Sequence, residues 1–132
     1  MSQLLGAIHR VGVFTFQEQN LFVYDDSLVL ARGNEALLAF GLIGQRIARA
    51  HIHSGTTLAP EALAARNASN RLWRVADIRQ ARFCRFALNP FRRLELTLVS
   101  GETEVLKWQH GENKDKRVLP ILQHALQGKL LQ

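Results

Sequence analysis

The sequence predicts an α+β fold: an antiparallel, seven-stranded sandwich or partly open barrel with a C-terminal helix and a helical insertion between the third and fourth strands. Three observations predict it. Residues 93–99 alternate apolar and polar, the signature of a strand with one dry face. Short runs rich in strand formers recur in the first and last thirds of the chain, separated by turn residues. Near the end, Val118, Leu119, Leu122, Ala125 and Leu126 form a stripe at helical spacing. At 132 residues, one domain over 1–132 is expected, large enough to bury roughly two-thirds of its unfolded surface.

The first strand is read over Ile8–Phe16, with Ile8, Val11, Val13, Phe14 and Phe16, and the polar run Gln17-Glu18-Gln19-Asn20 breaks it. Leu21–Tyr24 and Leu28–Ala31 flank Asp25-Asp26-Ser27 and form a hairpin. The insertion covers about 33–70. Asn34 suits a helix N-cap and Glu35 its first turn, so a helix is predicted from Glu35 to about His51. A short second helix is predicted over Pro60–Arg66, with Pro60 at its first position and Leu58 and Leu63 as its buried side. Strands resume at Leu72–Val75 and Arg79–Leu88. The alternating strand Arg93–Val99 places Leu94, Leu96 and Leu98 on one face and Arg93, Glu95 and Thr97 on the other. Ser100-Gly101-Glu102 turns the chain into Thr103–Gln109, with Leu106 and Trp108 on one face. The last helix is predicted from about Lys116 to Leu126, with Pro120 in or near its first turn, because a proline farther in costs ~3 kcal/mol.

Composition narrows the function classes. The single cysteine, Cys84, excludes a framework of internal disulfides. The first residues lack the charged and apolar regions of a signal peptide, and the longest apolar run, Ala36–Gly44, has nine residues, against about 20 for a transmembrane helix. A cytoplasmic protein without a transmembrane segment is expected. The formal net charge is +6, carried by 13 arginines and 4 lysines. Leucine (21) and alanine (15) are also abundant, so a GC-rich genome accounts for part of the arginine bias.

Three features are candidate sites. Residues 66–93 hold eight arginines and one carboxylate, Asp77. Trp73, Phe83, Phe86 and Phe91 are interleaved among them. Basic residues and aromatics on strands can bind single-stranded nucleic acid or an acidic partner. The anion-binding candidates are Arg71, Arg74, Arg79, Arg85 and Arg93. Along one regular strand Arg79 and Arg85 share a face and Arg82 takes the other, which argues against a single patch. The second feature is the predicted helix over 35–51, apolar on nearly every side. A helix of that kind needs cover on more than one side. Its candidate interface residues are Leu37, Phe40, Gly41, Ile43, Gly44 and Ile47, covered by residues 51–70, by a second chain or by a membrane surface. The third is His51-x-His53, with no Cys, Asp or Glu nearby to complete a metal site. His9, His110 and His124 are scattered. Asp25-Asp26 serve a turn, Cys84 sits among aromatics as a small hydrophobe, and no glycine-rich phosphate loop is present. No catalysis, metal or cofactor is expected.

The order of elements resembles a bacterial pleckstrin-homology-like domain of uncharacterised function. The resemblance rests on the hairpin Leu21–Leu30, on Val75-Ala76-Asp77-Ile78 before the next strand, and on Leu94-Glu95-Leu96 through Ser100-Gly101-Glu102 to Trp108, covering about residues 8–32 and 71–130. Lipid-binding members carry Lys and Arg in the first strand-to-strand loop, whereas this chain has Gln17-Glu18-Gln19-Asn20 there. The resemblance implies a non-enzymatic binding or scaffolding module for a protein partner or a second copy of itself, a homodimer. The alternative is an anion-binding module, for single-stranded nucleic acid or acidic lipid headgroups, acting through strands 66–93.

Overall fold

The computed structural model of the protein describes residues 3–11, 19–32, 59–66, 68–85, 91–109 and 112–131. Two sheets make up the fold. Sheet 1 has the order β1 (Leu4–Val11), β2 (Gln19–Tyr24), β3 (Ser27–Arg32) and β4 (Arg71–Arg74), all antiparallel. Sheet 2 has the order β7 (Thr103–Gln109), β6 (Phe91–Leu98), β5 (Ile78–Arg85) and β8 (Leu130–Leu131). The last pair is parallel. Helix α1 (Pro60–Ala64) lies between β3 and β4 in sequence, and helix α2 (Glu112–Leu126) joins β7 to β8. The class is therefore α+β, with eight strands among the described residues instead of seven.

The main core lies between the sheets. Ile8, Leu21, Val23, Leu28, Leu30 and Trp73 from sheet 1 meet Ile78, Ala81, Phe83, Leu94, Leu96, Leu106 and Trp108 from sheet 2. Val118, Leu122, Ala125 and Leu126 of α2 complete it, all fully buried at spacings of four, three and one, which keeps them on one side of a helix. The predicted core residues Leu94, Leu96, Leu106 and Trp108 are buried, and Leu98 is partly buried against the same cluster. Sheet 1 has a second buried face. Leu4, Phe22, Tyr24, Val29 and Ala31 cluster with Leu63 of α1. Burial on both faces explains why β2 and β3 read as continuous apolar runs instead of alternating.

Several expectations are corrected. The first strand begins at Leu4, not Ile8, and residues 12–18 lie outside the described residues. Gly6 sits inside it, where glycine is disfavoured, because α2 passes close by: a Cβ at Gly6 would lie 2.8 Å from Ile121 Cδ1. The last helix begins at Glu112, four residues earlier than predicted, so Pro120 lies inside it and not in its first turn. Proline has no N–H for the Lys116 carbonyl, but both residues are exposed, and water can replace the lost bond. At the C-terminus of α2, Gln127 (φ 50°) and Gly128 (φ 86°) reverse the chain in the left-handed region. That reversal delivers Leu130 and Leu131 to the edge of β5, forming the strand absent from the sequence reading.

The turns carry their expected chemistry. Asp25 and Asp26 form the tip of the β2–β3 hairpin. The Gln3 amide donates to Asp25 Oδ1 (3.0 Å), the Ser27 hydroxyl to Asp26 Oδ1 (3.1 Å), and the Val75 amide to the Asp26 carbonyl (2.9 Å). The two aspartates thus serve structure. Asn70 Nδ2 donates to the Leu63 carbonyl (3.0 Å) and ties the end of α1 to the start of β4. The predicted helix over 35–51, including Leu37, Phe40, Gly41, Ile43, Gly44 and Ile47, lies outside the described residues, as do Leu58, His51 and His53.

Candidate functional site

The arginines between 66 and 93 are distributed over both sheets and four of them are bound to carboxylates. Arg71 on β4 faces the interior seam and forks onto Glu104 of β7, Nη1 donating to Oε2 at 2.8 Å and Nη2 to Oε1. Its guanidinium carbon also lies 5.0 Å from the centroid of the Trp73 ring. This pair joins the two sheets. Arg74 on the opposite face of β4 donates to Glu61 of α1 at 2.7 Å. Both side chains are about half exposed, so water screens the pair. The Glu61 carboxyl is held below the ordinary carboxylate range by a hydrogen bond from its own backbone amide and by Arg74. Beneath α1, burial pushes the Tyr24 hydroxyl well above the usual phenol range, and the Glu61 charge adds to the shift.

In sheet 2, Arg92 is buried and its Nε donates to Asp115 Oδ2 at 3.0 Å. A buried pair of this kind fixes position more than it stabilises. It anchors the first turns of α2 to β6. Arg93, on the other face of β6, pairs with Glu95 at 2.9 Å.

The parity expected for β5 is corrected. Ile78 pairs with Leu98 and Gln80 with Thr97, so the register shifts between them. The extra residue makes both Arg79 and Gln80 exposed, while Ile78 and Ala81 are buried. A bulge reverses the in–out alternation. Arg79 is therefore exposed like Arg82, although regular alternation would place it on the side of buried Ala81 and Phe83. Arg71, Arg74, Arg79 and Arg93 are not brought together, and the Arg85 side chain lies outside what the structure describes. Of the interleaved aromatics, Trp73 and Phe83 are core residues, with Phe83 against Trp108 at 5.9 Å between ring centroids. Phe91 is 51% exposed.

What the register does assemble is the outer face of sheet 2. Cys84, Arg93 and Lys107 lie abreast on β5, β6 and β7. In the next row, Leu131, Arg82, Glu95 and Val105 lie abreast across β8, β5, β6 and β7. The first half of this pattern, Arg93 and Glu95 on the wet side of β6, was legible in the sequence. Lys107 was missed, although its alternation with Leu106 and Trp108 places it there. Leu131 was missed because the strand that holds it exists only through its pairing with β5.

Among the described residues, no group of three or more His, Cys, Asp or Glu could hold a metal ion, and no helix is long and apolar enough to cross a membrane. No protein-family model matches the chain, and no curated protein matches its sequence.

Proposed function

We propose that the chain is a cytoplasmic, non-enzymatic binding or scaffolding module of the pleckstrin-homology-like kind, and that it holds a protein partner, another copy of itself included. The fold reading is supported by an antiparallel sheet of β1–β4, a second sheet containing consecutive β5–β7, and a following helix packed on the core. A shared fold does not assign a task by itself. The observation that carries the functional reading is the dispersal of the arginines. Arg71, Arg74, Arg92 and Arg93 are each tied to a carboxylate, at four separate places. A polyanion would need them in one array.

The test compares ligands on the intact chain. Sedimentation velocity reports self-association, and fluorescence anisotropy at low salt reports binding of oligo-dT and of phosphatidylserine vesicles. The expected result is weak, nonspecific binding to both anions. Tight oligo-dT binding that falls steeply with salt, the slope scaling with the phosphates contacted, and that is lost in Arg71→Gln and Arg74→Gln, would overturn the proposal in favour of the anion-binding alternative.

A further inference from the structure

The outer face of sheet 2 is a surface on which no described element packs. Helix α2 packs mainly on β1, β2 and β8 and reaches β6 through Arg92 on its buried side, and α1 packs on β3 and β4. The face combines cations with apolar groups. Arg82 and Lys107 are exposed, Arg93 is held in place by Glu95, and Cys84 and Val105 are partly buried between them. Phe91 at one end and Leu131 beside Arg82 are each about half exposed.

We propose that this face docks an acidic, partly apolar segment of a partner protein. The inference rests on the protein-binding reading above and adds the surface and the partner's chemistry. Three considerations select this occupant. The face carries Arg82, Arg93 and Lys107 against one carboxylate, Glu95, so its field attracts an acidic ligand. A second copy brings the same three cations and the same net charge of +6, and like-charge juxtaposition opposes pairing through this face. Single-stranded nucleic acid needs aromatic platforms for successive bases. Among the described aromatics only Phe91 reaches this surface, while Trp73, Phe83 and Trp108 are buried. An aromatic, an arginine pair and aliphatic edges are the composition of a protein interface.

The experiment uses the full chain, labelled with ¹⁵N, and four probes: a short fluorescent peptide of alternating Glu and Leu, its counterpart with Lys for Glu, oligo-dT, and phosphatidylserine vesicles. The Glu-Leu peptide is expected to bind, with amide shift changes on β5, β6 and β7 at Arg82, Arg93, Lys107 and their neighbours. Arg82→Glu with Lys107→Glu should weaken it by about tenfold or more. Arg82→Gln with Lys107→Gln, chosen because it places no new carboxylate opposite Glu95, should give a smaller loss in the same direction. Arg66→Glu, an exposed position next to α1, should leave binding unchanged. Equal binding by the Lys-Leu peptide, shift changes mapping to another face, or affinity unaffected by both double variants would overturn the docking surface while leaving the protein-binding reading standing. Binding of oligo-dT or vesicles at this face, with none of the Glu-Leu peptide, would overturn both.

Discussion

At the scale of single residues, energetics follow burial. Leu96 is fully buried between the sheets, so Leu96→Ala should cost about 2–5 kcal/mol in urea melts. A loss below about 0.5 kcal/mol would mean the site collapses around the deletion. Tyr24 provides a pH signature. Its hydroxyl is raised above the phenol range by burial and then by Glu61. The folded state thus holds the proton that the unfolded state releases near pH ~10. Its contribution is complete below that pH and is lost as pH rises beyond it. Stability should fall on the alkaline side, and Tyr24→Phe should flatten that fall, as read by denaturant midpoints across a pH series. An unchanged alkaline slope in the variant would assign it to other groups.

At the scale of elements, long-range pairs decide the positions of α2 and β1. Removing one member of the buried Arg92–Asp115 pair strands a charge, so Asp115→Ala should cost about 3–5 kcal/mol. Replacing both, as Arg92→Met with Asp115→Leu, should recover most of that loss in the same melts. A double variant as unstable as the single one would show that the pair stabilises and does not merely position. Gly6 allows the close approach of α2. Gly6→Ala should be absorbed by rotation of Ile121, whose terminal methyl is the only near obstacle within 3 Å, whereas Gly6→Val should cost about 1–3 kcal/mol through overpacking. The test is whether Ile121→Ala relieves the valine variant. These same contacts explain what could be read in advance. The β6 strand was legible because Leu94, Leu96 and Leu98 alternate within one local segment. The beginning of α2 was not, because the polar run Glu112–Lys116 is held by Arg92, twenty-three residues from its partner Asp115. The β5 bulge left no local mark either, and it moved Arg79 off the face that regular alternation assigns it. The arginine run was visible as charge, but its neutralisation depends on Glu104, thirty-three residues from Arg71, and no pattern within 66–93 reveals that partner.

At the scale of the whole molecule, the two sheets differ in their surroundings. Sheet 1 buries both faces, one against sheet 2 and α2 and the other in the cluster containing Leu63. Sheet 2 buries one face, and on the other Arg82, Lys107 and Phe91 are exposed. That asymmetry sets an order of opening. Native-state hydrogen exchange should find the slowest amides at Leu21–Tyr24 and Leu28–Ala31, with β7 exchanging sooner through smaller openings. Amides of β7 that outlast those of β2 and β3 would reverse the order. The consequence concerns how the molecule can change over time. The sheet that keeps the chain folded is sealed on both sides and tolerates little substitution. The outer face of the other sheet can vary Arg82, Lys107 or Phe91 with small effect on the fold. A docking role of the kind proposed for that face can therefore change its partner while the sealed sheet stays as it is.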